Sequence, residues 1–550
     1  MAPKSPTSRR GRTSGANSRR SRKPSTVTAA AEKAGTMGTI SNGDRRLSTD
    51  EIARRIAQAA AGLHDLGLRA GDGVAICLRN DIAVFEATMA AGAIGCFPVQ
   101  INWHYTADEV RYILEDSGAK ALVIHADLLH NLRDAIPPHV RVLSVATPPV
   151  IQTAYRVTDD AAAVAPGDTD WDRWLEGFSA PPGSLGTLPP TIVYTSGTTG
   201  KPKGVKRQPF TPEQLTAVSA MLGHSYGFHL VSDPTQVVSA TIGPMYHSAP
   251  NNHGMFCFRA GASVVVLPRF DAEELLKTIE RERITHLNMV PIMFSRLLKL
   301  PAEVRDRYDL SSLRFVAHAA APCPAELKRA MIAWWGPVIY EYYGSTEMGN
   351  VTFCSSEEWL AHPGTVGRAM PGAEVQILDD DGSPLPAGRV GEIAGRYNGI
   401  GEFTYNNDDE KRRGIDRGGL IAPGDIGYLD EDGFLFICDR KVDMVISGGV
   451  NIYPAEIEAV LHEMPAVADC AVFGIPDDEY GESLCAAVQA RPGHEGLTAE
   501  SVQEFLRTRV AGYKVPKLVT FSTSLPREDS GKIFKRKLRE EYWAAAGRAI

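Results

Sequence analysis

Short apolar segments alternate with helical periods from residue 47 to about residue 440, and this alternation constrains the fold more than any other feature. Segments such as "GVAICL", "GASVVVLP" and "LRFVAHAAA" are typical of buried strands, whereas "LSTDEIARRIAQAAAGLHDLGLRAGD" and "AEELLKTIERERI" have the apolar spacing of helices. Strands that alternate with helices predict an α/β fold, with parallel sheets covered by helices on both faces. We expect Thr49 to cap the first of these helices.

A smaller unit with a different pattern follows near residue 440. "YPAEIEAVLHEMP" and "AESVQEFLRTRVAGY" have helical spacing, and "ADCAVFGIP", "ESLCAAVQA" and "KLVTFST" are typical of strands. These segments predict a small α+β module at the C-terminal end of the chain.

The formal charge of −8 is distributed unevenly along the chain. Residues 1–36 carry a net charge of +8 and are rich in Ser and Arg, which leaves −16 on the rest. This composition predicts a disordered basic tail. A nucleic-acid arm, a transit peptide and an over-long reading frame are alternatives, and we favour an extension without function. The acidic body argues against nucleic acid as a partner.

The sequence also bears on the compartment. No apolar run approaches the length that a membrane-spanning helix needs, and no secretory signal pattern is present. The eight cysteines are scattered singly, without the paired spacing of a zinc site or the density of a disulfide framework. We therefore expect a cytoplasmic protein. A homodimer and a weak peripheral contact with a membrane stay open.

The stretch "TIVYTSGTTGKPKGV", residues 191–205, joins an apolar strand to a loop of hydroxyls, glycines and lysines. Glycine backbone N–H groups can approach a charged oxygen closely, and the hydroxyls and lysines add donors and positive charge. The glycine spacing is not that of a Walker P-loop. The loop is either a triphosphate loop of another kind or a flexible, solvated turn.

Four further segments carry polar residues that suit a nucleotide site. In "YYGSTEMGN", residues 342–350, an aromatic ring could stack on adenine and a carboxylate could hold Mg2+. In "PGDIGYLDEDGFLFICDRKVD", residues 423–443, Asp425 could accept from ribose hydroxyls, although "YLDEDGFLFI" also predicts a plain β-hairpin. The other two are a second glycine loop, "ISGGVNIYP", and a basic segment, "PREDSGKIFKRKL". Each alone is equally compatible with an ordinary strand end, turn or solvated terminus.

In this order and spacing, the motifs make the chain resemble the adenylate-forming superfamily, which includes acyl- and aryl-CoA synthetases, from about residue 43 to 540. The resemblance implies a large N-terminal domain of β-sheets layered with helices and a small, mobile α+β C-terminal domain. We expect the tail at residues 1–36, the AMP- and acyl-binding domain at 37–441, and the mobile domain at 442–550. The resemblance further implies ATP, Mg2+ and CoA as cofactor and co-substrates.

The resemblance also assigns roles by position. The β- and γ-phosphates would contact Thr195, Ser196, Gly197, Thr198, Thr199, Gly200 and Lys203. The AMP part would contact Ala320, Ala321, Tyr343, Gly344, Thr346, Asp425 and Arg440. Glu347 would hold Mg2+, and Lys532 would be the lysine of the adenylation step. The CoA tunnel would be lined by Ser447, Gly448 and Gly449.

The acid-binding region distinguishes branches of the superfamily. Members that activate amino acids have an Asp that pairs with the α-ammonium, and here "PMYHSAPNN" has His247 at that position. An imidazole does not replace a buried carboxylate opposite an ammonium, so an amino acid is not expected. His247 resembles the acyl-CoA synthetase histidine beside the carboxylate, although it could be an ordinary loop histidine. The small residues that would leave room for an apolar acyl chain are Ser248, Ala249, Ala319 and Gly344.

The sequence therefore resembles fatty-acid and bile-acid CoA ligases, with Lys532, His247, Thr346 and Glu347 as the catalytic set. The resemblance implies that a carboxylic acid, ATP and CoA give acyl-CoA, AMP and pyrophosphate through an acyl-adenylate. One departure is Val442, which stands where the superfamily has an Asp or Lys hinge. An enzyme that loads a separate carrier protein, and an inactive homologue that acts as a binding or scaffold protein, are the alternatives.

Overall fold

The computed structural model describes residues 38–179, 191–195, 203–406, 408–527 and 532–546. The strands are β1 (Thr39–Asn42), β2 (Arg45–Ser48), β3 (Gly73–Cys77), β4 (Phe97–Gln100), β5 (Ala119–His125), β6 (Arg141–Val145), β7 (Ile192–Thr195), β8 (Lys203–Arg207), β9 (Val238–Thr241), β10 (Ser263–Val266), β11 (His286–Met289), β12 (Phe315–His318), β13 (Ile339–Ser345), β14 (Gly349–Cys354), β15 (Arg368–Ala369), β16 (Ala373–Leu378), β17 (Gly391–Tyr397), β18 (Phe403–Tyr405), β19 (Asp416–Arg417), β20 (Leu420–Ile421), β21 (Asp425–Leu429), β22 (Leu435–Arg440), β23 (Val445–Ser447), β24 (Val450–Ile452), β25 (Val467–Asp477), β26 (Gly481–Ala490) and β27 (Leu518–Phe521).

The α-helices alternate with many of these strands. They are α1 (Thr49–Asp65), α2 (Ile82–Ala93), α3 (Ala107–Asp116), α4 (Ala126–Leu132), α5 (Pro149–Tyr155), α6 (Asp159–Ala162), α7 (Trp171–Glu176), α8 (Pro212–Ser225), α9 (Ser248–Arg259), α10 (Ala272–Glu282), α11 (Pro291–Leu298), α12 (Ala302–Arg305), α13 (Ala325–Trp335), α14 (Ser356–Ala361), α15 (Asp409–Gly414), α16 (Pro454–His462), α17 (Ala499–Arg507) and α18 (Lys535–Ala545). In the part of the chain that the structure describes, none of them is long and apolar enough to cross a membrane.

Within the described residues the strands form four sheets. The nine-stranded sheet has the order β15-β14-β13-β12-β11-β9-β10-β1-β2, and the seven-stranded sheet has the order β18-β8-β7-β4-β3-β5-β6. Both are parallel in their centres; the nine-stranded sheet is antiparallel at both edges, and the seven-stranded sheet only at the β18–β8–β7 edge. Helices α1 and α2 lie between them, because their apolar faces share one core with Val74 of β3 and Val264 of β10. The two sheets are thus layers of one large unit.

The first helix begins one residue earlier than predicted. Ser48, not Thr49, is the N-cap of α1, and it forms a capping box with Glu51. The Thr49 hydroxyl instead donates to the carbonyl oxygen of Gly38, 2.5 Å away. The prediction of Thr49 as the cap was therefore wrong, because a long-range bond holds that hydroxyl.

The prediction of parallel sheets also fails between residues 373 and 440. There the strands form a six-stranded antiparallel sheet in the order β19-β20-β17-β21-β22, with β16 paired to β17. The β16–β17 and β21–β22 connections contain no helix, which the crossover of a parallel pair needs. The turn between β21 and β22 contains Gly433 with φ of 80°, as expected for a hairpin at Asp432-Gly433.

The strands after residue 440 form a separate five-stranded sheet in the order β24-β23-β26-β25, with β27 paired to β26. Helices α16 and α17 pack on this sheet through Ile457, Leu461, Val502 and Leu506, all of which are fully buried. The predicted α/β fold, with a large layered N-terminal part and a smaller C-terminal part, is confirmed.

Candidate active site

Three side chains predicted to contact the nucleotide meet at the edge of two sheets. Tyr343 lies near the C-terminal end of β13. Asp425 and Arg440 face each other across the β21–β22 pair. The Tyr343 hydroxyl donates to Asp425 Oδ2 at 2.6 Å, and Arg440 Nε lies 3.1 Å from Asp425 Oδ1. Burial and the Asp425 carboxylate raise the pKa of Tyr343 well above its usual value, so the phenol stays protonated and donates.

Glu347 is held by residues that the sequence motifs did not indicate. The Tyr405 hydroxyl donates to Glu347 Oε1 at 2.8 Å. Burial, together with the Glu347 carboxylate, raises the pKa of Tyr405. Arg207 donates to the carbonyl oxygens of Thr346, Glu347 and Gly401, at 2.8, 2.7 and 2.5 Å. The turn that carries Thr346 and Glu347 is therefore fixed at its backbone.

Arg207 and Tyr405 come from β8 and β18, which pair in antiparallel fashion. Burial lowers the pKa of Arg207 to about 10, which still leaves the guanidinium charged at neutral pH. Arg207 lies four residues after Lys203 on one strand, so strand alternation places both on the same face. That alternation is the signal from which Arg207 could have been predicted. Tyr405 has no comparable signal, because β18 pairs with β8 across almost two hundred residues.

The first glycine loop is described only at its two ends. Thr195 closes β7 and Lys203 opens β8, whereas Ser196, Gly197, Thr198, Thr199 and Gly200 lie outside the described residues. Lys203 Nζ forms an ion pair with Asp408, a residue that the motifs also did not indicate.

The predicted acyl residues surround an open cavity of about 230 Å³. Ser248, Ala249, Ala319 and Gly344 all line it, together with Val218, Met221 and Leu222 from one face of α8. His247 is not among the lining residues; it precedes α9, and its ring lies 4.5 Å from that of Tyr246. The cavity wall is therefore largely apolar, with small residues at one side.

The cavity adjoins residues that were predicted to contact the nucleotide. Thr346 and Ala320 also line the cavity, and the Thr346 and Ser248 hydroxyl oxygens are 3.4 Å apart. Ala320 has φ of 74°, a left-handed conformation that a residue other than glycine adopts at a cost. Ala320 and Ala321 lie in the turn directly after β12.

Gly344 has a second reason to be small. A Cβ atom at this position would overlap the carbonyl oxygen of Gly349 and lie 2.7 Å from the Cα of Asn350. The close approach of β13 and β14 therefore requires glycine here, whatever the cavity contains.

The predicted C-terminal residues occupy the smaller unit. Ser447, Gly448 and Gly449 form the turn between β23 and β24, where Gly448 and Gly449 have φ of 58° and 80°. Lys532 precedes Ile533, which forms an isolated bridge with Arg527. Val442 is 54% exposed, and its carbonyl oxygen accepts from Arg539 Nη1 of α18 at 2.9 Å.

Comparison with known proteins gives the family. The sequence model described as "AMP-binding enzyme" matches residues 25–402, and that described as "AMP-binding enzyme C-terminal domain" matches residues 456–532.

Among curated proteins, the chain is 34% identical over 531 residues to a 3-[(3aS,4S,7aS)-7a-methyl-1,5-dioxo-octahydro-1H-inden-4-yl]propanoyl:CoA ligase of Rhodococcus jostii, covering 94% of this chain and 98% of the relative. It is 31% identical over 527 residues to the fatty acid–[acyl-carrier-protein] ligase ScoC of Streptomyces coeruleorubidus, covering 92% and 93%.

Among solved structures, the ATP-bound MatB of Rhodopseudomonas palustris superposes with a TM-score of 0.78 at 28% identity, covering 94% of this chain and 98% of MatB. The chain therefore belongs to the AMP-binding enzyme family of ligases, in the acyl-CoA synthetase branch of the adenylate-forming superfamily.

Proposed function

We propose that this protein is an ATP-dependent acyl-CoA ligase, which converts a fatty acid, ATP and CoA into acyl-CoA, AMP and pyrophosphate. The observation that carries this proposal is the 3.4 Å contact between Thr346, a predicted nucleotide residue, and Ser248, a predicted acyl residue, both of which line the cavity. A carboxylate beside Ser248 would lie next to the α-phosphate of a nucleotide held by Tyr343, Asp425 and Arg440.

In the first step a carboxylate oxygen forms a bond to the α-phosphorus, and the bond from that phosphorus to the bridging oxygen breaks. The electron pair of the broken bond leaves with pyrophosphate. The protein mainly positions the reactants and neutralises charge. Thr346 would donate to the α-phosphate, and Lys532 would neutralise charge that develops between the carboxylate and the phosphorus. His247 would lie near the carboxylate.

Glu347 suits the magnesium ion that accompanies ATP. Carboxylate and phosphate oxygens are the ligands that Mg2+ prefers. Tyr405 holds one Glu347 oxygen at 2.8 Å, which fixes the orientation of the carboxylate and leaves Oε2 for the cation. The ion would neutralise phosphate charge, and the protein residues would hold the nucleotide around it.

In the second step the CoA thiolate attacks the acyl carbon, and the bond from that carbon to the AMP oxygen breaks. We place a boundary between the two catalytic units at residues 441 and 442, with Val442 as the hinge. The Ser447–Gly449 turn would then border the pantetheine, for which its glycines leave room.

The acid would be apolar. The walls of the cavity include Val218, Met221 and Leu222, and no acidic side chain lines it within the described residues. Its polar lining residues include Arg207, Asn252 and Asn350. A fatty acid has no ammonium and so needs no acidic partner in the cavity, whereas an amino acid would need one for its α-ammonium. The R. jostii relative acts, by its name, on a ring-bearing propanoate, so ring-bearing acids are the closest competitors for this assignment.

A panel of acids tests the proposal. Purified enzyme receives ATP, Mg2+, CoA and one acid at a time, and the CoA-dependent release of AMP is measured. We expect fatty acids to give the largest kcat/KM, followed by ring-bearing acids such as steroid side-chain acids. Amino acids giving the fastest pyrophosphate exchange would contradict the assignment of the cavity.

A carrier protein is the second candidate for the acyl acceptor, supported by the similarity to ScoC, whose name gives an acyl-carrier protein as acceptor. The two acceptors are separated by supplying synthetic acyl-adenylate with either CoA or a pantetheinylated carrier protein. We expect thioester formation with CoA to be the faster reaction. An inactive homologue would show no ATP–pyrophosphate exchange with any acid.

A further inference from the structure

Asp408 joins two lysines next to the first glycine loop. It is the N-cap of α15, where its Oδ1 accepts from the backbone N–H of Lys411 at 3.0 Å, and its Oδ2 pairs with Lys203 Nζ. The segment is fixed to β8, because the backbone N–H of Asn406 donates to the carbonyl oxygen of Gly204 at 2.7 Å. One carboxylate therefore binds the Lys203 ammonium and the backbone N–H of Lys411.

The Lys411 ammonium faces the same region as Glu347. Its Nζ lies 4.3 Å from the ring centroid of Tyr405, the residue whose hydroxyl donates to Glu347. No ion pair joins this ammonium to a carboxylate within the described ranges of the chain. The side chain is half-buried, and burial together with the neighbouring Lys203 ammonium lowers the pKa of Lys411, while the Glu347 and Asp408 carboxylates offset only part of this shift.

A half-buried ammonium beside a second ammonium has an electrostatic cost, which the Glu347 and Asp408 carboxylates reduce but do not remove. A polyanion between the two lysines would remove that cost. Lys203 is already expected to contact phosphate, and Glu347 is expected to hold the accompanying Mg2+, so the anion that suits this place is a polyphosphate.

We propose that Lys411 is a second binding cation for the pyrophosphate part of the nucleotide, and that pyrophosphate replaces Asp408 as the partner of Lys203. This inference rests on the proposed function. When the bond between the α-phosphorus and the bridging oxygen breaks, the electron pair stays on that oxygen, and the two lysines stabilise the added negative charge. After pyrophosphate leaves, Asp408 pairs with Lys203 again.

The Lys411→Met variant tests the cation. Binding of Mg-pyrophosphate, Mg-ATP and AMP is measured by titration calorimetry, since AMP lacks the β- and γ-phosphates. Loss of one charge-assisted contact should weaken pyrophosphate and ATP binding about 10- to 100-fold. AMP affinity should be unchanged, and Lys411→Arg should restore most of the loss. Equal weakening for AMP, or no weakening for pyrophosphate, would overturn the proposal.

Lys206 provides the matched control. It is also half-buried with its Nζ over an aromatic ring, 4.5 Å from the centroid of Phe97. It lies on the opposite face of β8 from Lys203, because side chains alternate along a strand. Lys206→Met should therefore leave pyrophosphate affinity as it is. A loss equal to that of Lys411→Met would show that any nearby positive charge suffices, and would contradict a specific site.

The Asp408→Asn variant tests the exchange of partners and stays informative if Lys411→Met does not fold. Asn retains the helix cap but removes the charge that competes for Lys203. Pyrophosphate should bind several-fold more tightly than to the wild type, and weaker binding would overturn the exchange. A protein that binds pyrophosphate as described, but makes no acyl-CoA from any acid, would refute the proposed function and leave this inference standing.

Discussion

The nucleotide side and the acyl side of the cleft are organised by different interactions. On the nucleotide side, polar groups bind one another: Tyr343 and Arg440 converge on Asp425, and Tyr405 holds Glu347. On the acyl side, the wall is formed by apolar side chains and small residues, and the 3.4 Å Ser248–Thr346 contact joins it to the nucleotide side.

The difference indicates how each ligand would be selected. A site that hydrogen-bonds its ligand strongly rejects an analogue that lacks the bonding group. An apolar wall discriminates only weakly between chains that differ by one methylene. We therefore expect nucleotide recognition to be strict and acid recognition to be broad. Substitutions on the two sides should accordingly affect different kinetic constants.

The largest effect is expected at Lys532, the lysine proposed to act in the adenylation step. If this lysine neutralises charge only while the carboxylate attacks ATP, Lys532→Ala should slow adenylation about 10²- to 10³-fold, by analogy with the loss of an oxyanion donor. The thioester step should suffer much less. Full turnover is compared with thioester formation from synthetic acyl-adenylate and CoA. Equal losses in both assays would mean that Lys532 is structural.

Val442→Pro is expected to show the reverse pattern. Proline fixes φ near about −65° and removes a backbone donor. If Val442 is the hinge, this change should spare adenylation and block the thioester step. The same two assays measure it, and impaired adenylation with an intact thioester step would place the hinge elsewhere.

On the nucleotide side, Asp425→Ala removes the acceptor of Tyr343 and the charge opposite Arg440. The KM for ATP should rise about 10- to 100-fold, since hydrogen bonds to charged groups are the stronger ones. The KM for the acid should stay nearly constant. Asp432→Ala, at an exposed position in the same hairpin, is the control and should change neither constant. A parallel rise in both KM values after Asp425→Ala would remove the distinction between the two sides.

On the acyl side, Ala249→Trp or Ala319→Trp should reject long acids first. Overfilling an apolar site costs about 1–3 kcal/mol, and a short acid leaves room for the added ring. Steady-state constants for a series of fatty acids at saturating ATP measure the effect, with the KM for ATP unchanged. Short and long acids affected alike would indicate that the chain lies elsewhere.

The smallest effect is expected for the basic tail. Deletion of residues 1–36 should leave the constants for ATP, acid and CoA unchanged, because its composition provides too little apolar surface to contribute to a core. Kinetics and folding yield of the truncated protein are compared with those of the full chain. A large fall in either would show that the tail docks on the enzyme.

Local patterns predicted much of the fold, and they marked segments whose side chains lie together in the candidate site. Periodicity indicated the alternating strands and helices, and the segments around Tyr343, Asp425 and Arg440 contain side chains that the structure brings together. These segments were identifiable because glycines, hydroxyls and charges cluster within a few residues.

Contacts across long sequence separations were not predictable in the same way. Tyr405 and Asp408 reach Glu347 and Lys203 only because β18 adds to the edge of a sheet whose first strand, β3, begins more than three hundred residues earlier. The cap of α1 was instead a missed local signal, since Glu51 lies three residues after Ser48, the spacing of a capping box, whereas Ile52 lies three residues after Thr49. Sequence pattern gives residue types at each position, whereas tertiary pairing decides which of them meet.

The crowding at Gly344 limits how new acid preferences can arise in this protein. Of the small residues along the cavity, this one is fixed by the neighbouring strand, because any side chain would collide with the backbone of Gly349 and Asn350. Selection for a new substrate, in nature or in the laboratory, would therefore have to act on α8, on α9 or on the turn after β12. A mutagenesis library that keeps Gly344 constant and varies Ala249, Ala319 and Met221 would contain fewer unfolded members and the same range of cavity shapes.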